Sequence, residues 1–339
     1  MDAQESHMSL YSLITLEPAK REIRLLRLLP GGRDDPVKAD LFRESLDSNL
    51  NFSVLSYSWG PETDKVPITV QGMTVVITRN LHQCLVNLRS DTTPLVIWID
   101  AICINQSSNE EKNTQVPLMR DIYKMAREEF VWLGETTTGL DLIVSCIRFI
   151  ASQDEDFHLD KFEHIVQELI VSPEEIAAAF AEFYELAWFH RTWIIQEFAL
   201  PRQDPVFLCG EHRIPWPNLQ RWWHDIKECN TKFTSHAELS RESRAWQKLH
   251  ELIGPHPVDN LSMLREIFSK KDKSLATDPR DKIYGLLGLA NDEAKSSLTI
   301  DYNKSVQEVY EEVTRYLIFS EGKLNILSGL APDFILQWD

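Results

Sequence analysis

The chain has 339 residues, and 35 Lys and Arg against 52 Asp and Glu give it a formal net charge of −17. At about 150 residues per domain, this length predicts about two domains. A negative field repels phosphate backbones and anionic lipid surfaces, so we expect no nucleic-acid partner. No apolar run reaches the roughly 18 residues of a membrane helix, and the N-terminus lacks the layout of a secretion signal. We therefore expect a cytoplasmic protein without a membrane segment.

Cysteine and histidine patterns argue against a disulfide framework and a metal site. The five cysteines are odd in number, widely spaced and contain no C-x-x-C pair: Cys84, Cys103, Cys146, Cys209 and Cys229. Reduced thiols are the expectation. The ten histidines form no H-E-x-x-H pair, and neither G-x-S-x-G nor a G-x-G-x-x-G after a strand occurs. We therefore expect no metal and no resident cofactor.

The first half of the chain alternates strand and helix patterns. Strands are predicted at 23–29, 52–57, 95–99, 130–133 and in a hairpin around Gln71-Gly72. Helices are predicted after the caps Asn80, Ser108 and Ser172, and Pro117 either kinks its helix or begins it. The succession of strand, helix and strand predicts an α/β fold, in which helices flank a parallel sheet with an extra hairpin.

The pattern changes at about Pro201. After one short strand at 206–209, mostly helical segments are predicted at 219–229, 239–253, 261–268, 282–289 and 306–319. We predict a lead-in with a strand over 1–50, an α/β domain over 51–200 and a mostly α-helical region over 201–339. The last region is either a separate domain or a layer packed on the sheet.

Three clusters of polar and aromatic residues stand where an α/β fold builds its sites. Ser56-Tyr-Ser-Trp-Gly60 and Asp100-Ala-Ile-Cys-Ile-Asn-Gln106 each follow a predicted strand, and ligands bind outside the carboxyl ends of parallel strands. Arg191-Thr-Trp-Ile-Ile-Gln-Glu197 enters a helix in which Trp193 and Glu197 share a face.

Each cluster also has a purely structural interpretation. Some residues suit a buried core: Trp59, Cys103 and Trp193. Others suit helix capping or the pairing of loop backbone: Asp100, Asn105 and Gln106. Arg191 and Glu197 can form a plain surface ion pair, with a contribution of about 0.5 kcal/mol and no catalytic role.

Four ordered blocks between about residues 52 and 200 resemble the fungal heterokaryon-incompatibility (HET) domain. They are Leu55-Ser-Tyr-Ser-Trp-Gly60, Trp98-Ile-Asp-Ala-Ile-Cys-Ile-Asn-Gln106 with Glu111, Lys112 and Gln115, Val131-Trp-Leu-Gly134, and Arg191 to Glu197. The downstream segments 278–288 and 300–303 resemble the region that commonly follows this domain. Pro117 departs from the pattern, because it falls in a helix that is usually uninterrupted.

The resemblance implies a cell-death effector of fungal non-self recognition, distantly related to TIR domains and their flavodoxin-like parallel sheet. Many TIR domains cleave NAD+ with a glutamate in a W-x-x-x-E pattern, which Trp193 and Glu197 match. The resemblance therefore implies that Glu197 is the catalytic residue of an NAD+ glycohydrolase that assembles as a homo-oligomer when active. NAD+ is then a substrate and not a cofactor.

Substrate-binding roles follow for the other residues of the three clusters: Ser56, Tyr57, Trp59, Asp100, Cys103, Asn105, Gln106, Arg191 and Trp193. The tryptophans suit the cationic nicotinamide ring, and Arg191 suits the pyrophosphate. Nicotinamide leaves as a neutral molecule, so one carboxylate that stabilises positive charge on the ribose is sufficient. Two alternatives stay open, a non-catalytic self-assembly module and a nucleoside or nucleotide hydrolase.

Overall fold

The computed structural model describes residues 10–153, 161–222, 276–290 and 292–321. These residues form two compact units, each built from separate stretches of chain. The first unit contains 10–103, 125–153, 161–189 and 201–222, and the second contains 104–124, 190–200, 276–290 and 292–321. The predicted domain boundaries at residues 50 and 200 stay a prediction.

The first unit is organised around a nine-stranded mixed sheet. The strands are β1 (Glu22–Leu28), β2 (Lys38–Ser45), β3 (Ser53–Tyr57), β4 (Lys65–Val70), β5 (Met73–Thr78), β6 (Leu95–Trp98), β7 (Glu128–Gly134), β8 (Val206–Cys209) and β9 (His212–Pro215). Their spatial order is β5-β4-β2-β1-β6-β3-β7-β8-β9. The predicted α/β class is confirmed.

The parallel part of the sheet is its four-strand group β6-β3-β7-β8. Counted along the chain within this group, the strands lie in the order 2-1-3-4, which is the order of a flavodoxin-like sheet. β3 is buried along its whole length, as expected for a central parallel strand. Because these four strands run in one direction, their carboxyl ends meet at the same edge.

Antiparallel pairs and one further parallel pair extend the sheet on both sides. β1 pairs antiparallel with both β2 and β6, and β2 pairs parallel with β4. The predicted hairpin is confirmed as β4 and β5, and both Gln71 (φ 53°) and Gly72 (φ 75°) have the positive φ that a two-residue hairpin turn requires. A second hairpin joins β8 and β9. The strand patterns of the sequence did not indicate β2 or β9.

Besides the helical residues 10–13 and 216–222, eleven α-helices occur in the described residues. They are α1 (Arg79–Leu88), α2 (Asp100–Cys103), α3 (Asn109–Gln115), α4 (Met119–Met125), α5 (Thr138–Ala151), α6 (Lys161–Leu169), α7 (Pro173–Tyr184), α8 (Ile194–Ala199), α9 (Asp281–Leu287), α10 (Asp292–Ser297) and α11 (Val306–Glu321). None of those described is both long and apolar enough to cross a bilayer. The predicted helices at 219–229, 239–253 and 261–268 lie wholly or largely outside the described residues.

Capping predictions are confirmed in part. Ser172 and Glu175 form the full reciprocal capping box of α7. Ser108 caps α3, but the Glu111 carboxylate accepts from the Asn105 backbone N–H (2.7 Å) and not from that of Ser108. α3 ends at Gln115, and Pro117 lies in the 3₁₀ turn of residues 116–118 that separates α3 from α4. Proline interrupts the helix here because it has no backbone N–H to donate.

A cluster of aromatic side chains packs between α7 and β8 in the core of the first unit. They are Phe180, Phe183, Tyr184, Trp188, Phe189, Phe207 and Trp222. The buried Trp188 indole N–H donates to the Ser56 hydroxyl in β3 at 2.7 Å. This bond joins Trp188 to the central strand of the sheet within the first unit.

Candidate functional site

At the carboxyl edge of the parallel strands, two predicted residues meet. The Trp59 indole N–H donates to Asp100 Oδ2 at 2.9 Å, and both side chains are half-buried. Trp59 follows β3 by two residues and Asp100 follows β6 by two residues, so adjacent parallel strands bring them together. The second Asp100 oxygen accepts from the Ala101 N–H at 2.7 Å, at the start of α2.

Asn80 is a residue of this edge that sequence reasoning assigned differently. Asn80 was predicted to cap α1, and this prediction is wrong, because the cap is Thr78, whose hydroxyl accepts from the Leu81 N–H. Asn80 instead donates to the Ser58 carbonyl oxygen at 2.6 Å and accepts from the Trp132 indole at 2.8 Å. It therefore links the ends of β3 and β7, where the winding of the sheet reverses and ligands of such folds bind. A signal for this role is absent from the local sequence, because the partners are distant along the chain.

Ser56 and Tyr57 lie inside the core of the first unit and not at its surface. Ser56 is fully buried with its hydroxyl bound by Trp188, and Tyr57 is only 2% exposed. Both belong to β3, so their places follow from the burial of that strand. The contacts of Ser56 are those of a core residue.

Cys103 is also buried. Its sulfur accepts from the Ile99 N–H at 3.4 Å, and its carbonyl oxygen accepts from Arg24 Nη1 at 3.1 Å. Burial raises the pKa of the Cys103 thiol to about 12. Because the thiolate is the reactive form, this cysteine is a poor nucleophile near neutral pH. Its contacts match the structural interpretation made from the sequence.

Asn105 and Gln106 lie in the second unit, and both are half-buried. The Asn105 side-chain oxygen accepts from the Ser107 N–H at 3.2 Å, in a local turn. The Asn105 backbone N–H is bound by Glu111. Asn105 thus pairs loop backbone groups, as its structural interpretation states.

Arg191 and Glu197 form an ion pair in the second unit. Arg191 Nη1 lies 3.1 Å from Glu197 Oε2, and Nη2 lies 3.4 Å from Oε1, which is the two-bond geometry of a guanidinium and a carboxylate. The Glu197 side chain is 3% exposed and that of Arg191 is 15% exposed. The interpretation as a surface ion pair is therefore wrong, because water is nearly excluded from this carboxylate.

Trp193 faces a carboxylate that the sequence did not single out. Its ring packs on Gly285 in α9, and Asp281 lies one turn earlier on the same face of that helix. Asp281 Oδ1 accepts from the Tyr302 hydroxyl at 2.6 Å. Burial raises the pKa of Asp281, although Tyr302 and Trp193 act in the opposite direction. The predicted stacking role of Trp193 stays a prediction.

Polar groups from two other stretches of the second unit surround Tyr302. Its backbone N–H donates to Asn113 Oδ1 at 2.7 Å, and its carbonyl oxygen accepts from Arg280 Nη1 at 2.7 Å. The Lys112 ammonium lies 4.4 Å from the centre of the Tyr302 ring, a cation–π distance. The motifs at 278–288 and 300–303 were noticed in the sequence, but nothing there showed that they meet α3.

No cluster of metal-binding side chains occurs in the part of the chain that the structure describes. Residues 52–197 match the family model described as "Heterokaryon incompatibility protein (HET)". The chain carries a HET domain. The resemblance seen in the four sequence blocks is therefore confirmed, and the matched region ends at Glu197.

A curated relative of the HET-domain chain is "Heterokaryon incompatibility protein 6, OR allele" of Neurospora crassa, which is 27% identical to it. The alignment covers 94% of this chain and 55% of the relative. The chain thus spans about half the length of the curated relative it matches. No solved structure gives a significant match.

Proposed function

We propose that this HET-domain chain is a cell-death effector of fungal non-self recognition and that it acts as an NAD+ glycohydrolase. The family match and the similarity to a heterokaryon incompatibility protein support the biological role. The flavodoxin-like strand order supports the relation to TIR domains that the sequence blocks imply. The catalytic step is carried by one observation, the buried carboxylate of Glu197 one helical turn after Trp193.

In this reaction the bond between ribose C1′ and the nicotinamide nitrogen breaks, and its electron pair stays on nitrogen. Nicotinamide leaves as a neutral molecule, so no general acid is needed. Water then forms the new bond to C1′ and releases a proton, and the products are ADP-ribose and nicotinamide. Glu197 stabilises the positive charge that develops on the ribose, and such a charge acts most strongly where water is excluded.

The residues that contact NAD+ beside Glu197 are proposed within the second unit, where Arg191 binds the pyrophosphate through its guanidinium group. We also propose that the active form is a homo-oligomer, so activity rises with protein concentration.

The test is release of nicotinamide from NAD+ by the purified full chain, at low and high protein concentration. Glu197→Gln keeps the size of the side chain and removes its charge, and Glu293→Gln makes the same change at an exposed position of α10. We expect turnover by the wild type and by Glu293→Gln, and a loss of about 100-fold or more in Glu197→Gln with the fold retained.

Two other outcomes would redirect the assignment. No turnover by any of the three proteins, even when concentrated, would favour a non-catalytic self-assembly module. Turnover of nucleosides or nucleotides without turnover of NAD+ would favour a hydrolase of a different substrate class.

A further inference from the structure

The helix that carries Glu197 depends on its neighbours for its orientation. α8 has only six residues, and no side chain caps its N-terminus. Isolated helices of this length are unstable in water. The direction of the Glu197 carboxylate is therefore set by the contacts of α8 within the second unit.

One contact is made by the residue before Glu197. Gln196 is 2% exposed. In the amide orientation that satisfies its neighbours, Gln196 donates to the Gly285 carbonyl oxygen at 3.3 Å and accepts from the Arg120 backbone N–H at 3.1 Å. A Cβ atom at Gly288 would overlap this amide. Gln196 thus packs tightly between α4 and α9.

The second contact is made one turn before Glu197. The Trp193 ring packs on Gly285, where an added Cβ would lie 3.4 Å from the indole. Asp281 lies one turn before Gly285 on the same face of α9, so it also faces Trp193. Asp281 is itself fixed by the Tyr302 hydroxyl. Tyr302 is fixed in turn by Asn113 of α3. A continuous chain of contacts therefore runs from α3 through Tyr302 and Asp281 to α8.

We propose that Asp281 is a positioning residue that acts through Trp193 to orient the Glu197 carboxylate. The inference rests on the proposed NAD+ glycohydrolase activity. Asp281 holds the turn of α8 that precedes Glu197, so release of Trp193 lets this short helix rotate or fray. A displacement of about 1 Å in a reacting group costs a reaction about 100-fold. The segment after residue 276 is then part of the machinery that places the catalytic residue.

The experiment compares four full-length proteins: the wild type, Asp281→Asn, Tyr302→Phe and the exposed control Glu293→Gln. Hydrogen–deuterium exchange of the amides at 194–200 reports the order of α8 and needs no activity. Nicotinamide release gives kcat and KM, with kcat expressed per folded molecule by circular dichroism. Tyr302→Phe removes only the hydroxyl, so it keeps the test available if Asp281→Asn folds poorly.

We expect both variants to exchange the amides of α8 about tenfold faster than the wild type. We also expect kcat to fall about tenfold or more while KM for NAD+ changes little, because Asp281 supports the transition state and does not touch substrate. Glu293→Gln should match the wild type in both measurements.

The proposal is overturned if exchange at 194–200 is unchanged in both variants, or if exchange rises while kcat per folded molecule stays at the wild-type value. A wild type that releases no nicotinamide at any concentration overturns the proposed activity instead. The exchange measurement then shows by itself whether Asp281 holds α8.

Discussion

The Arg191 guanidinium and the Glu197 carboxylate are joined by two contacts, at 3.1 and 3.4 Å, across one turn of chain. Both groups are largely withdrawn from water. A charge in such a place is strongly destabilising once its partner is removed, whereas loss of both charges together is often tolerated. The pair therefore allows the structural and the chemical roles of Glu197 to be separated.

We predict that Glu197→Gln alone lowers the free energy of unfolding by about 3 kcal/mol, because Arg191 is left buried without its counter-charge. Arg191→Gln alone should cost a similar amount. The double variant should recover most of the loss, and urea unfolding of all four proteins gives the coupling energy. If the double variant recovers stability but not nicotinamide release, the pair of Arg191 and Glu197 has a role beyond folding. Simple addition of the two losses would contradict the paired arrangement.

A second prediction concerns Trp59 and Asp100. Asp100→Ala removes the acceptor of the Trp59 indole N–H and should lower the free energy of unfolding by about 1–2 kcal/mol. In ¹H–¹⁵N spectra the Trp59 indole signal, assigned with Trp59→Phe, should move toward that of a solvent-exposed indole. The double variant Asp100→Ala with Trp59→Phe should lose little more stability than Asp100→Ala alone, because both substitutions remove the same hydrogen bond. An unmoved indole signal would contradict the bond.

Gly288 provides a third prediction. A Cβ atom there would overlap the Gln196 amide, so we expect Gly288→Ala to lower the free energy of unfolding by about 1–3 kcal/mol. Shortening the opposing side chain in Gly288→Ala with Gln196→Ala should relieve the overlap, so that the two losses are less than additive. Thermal or urea unfolding measures both. A neutral Gly288→Ala would show that α8 and α9 pack more loosely than described.

The fourth prediction concerns pH. Burial raises the pKa of Asp281 above its ordinary value of 3.8, against the hydrogen bond from Tyr302, the effect of the Trp193 side chain and the attraction of Lys112. Asp278 adds to the rise by repulsion. As pH rises above 3.8, the unfolded chain releases this proton first, so ionisation lowers the free energy of unfolding until the folded pKa is passed. Beyond that pH the loss is constant.

Asp281→Asn removes this titration. The free energy of unfolding of the wild type, minus that of Asp281→Asn, should therefore fall with rising pH from about 3.8 and then level off. Urea unfolding at a series of pH values starting below 3.8 measures this difference. A difference that rises with pH would show that the hydrogen bonds of Asp281 outweigh its burial.

The fifth prediction concerns the thiols. Cys84, Cys103, Cys146 and Cys209 are buried and free, and burial raises the pKa of the last three to about 12. Iodoacetamide at mildly alkaline pH should leave these four unmodified in the native chain and alkylate them after denaturation, as peptide mass spectrometry can show. Rapid labelling of native Cys103 would contradict its placement in the core.

Much of the sheet was predictable because its central strands are uniformly apolar and its turns carry clear signals. The strand at 95–98 and the turn at Gln71 follow directly from such local patterns. β2 was missed because its sequence, KADLFRES, is half exposed and mostly polar. Its place depends on seven paired residues of β1, a partner that periodicity does not identify.

Residues in the candidate site were predictable by type but not by partner. Trp59 and Asp100 were both singled out, and their meeting follows from two adjacent parallel strands. The partner of Trp193 lies 88 positions further along the chain, in a motif noted only for its resemblance. Contacts of this kind depend on tertiary packing, so a single sequence shows the chemical groups but not their pairing.

The second unit has a consequence for inheritance. It is assembled from three lengths of polypeptide that are far apart in the gene, and Tyr302 and Asp281 meet partners from the other two. An allele that acquired only one of these three segments from a divergent sequence would combine contact residues that do not fit each other. Recombinants that exchange the Trp193 region without residues 281–302 should therefore be less stable even where no substrate contact differs.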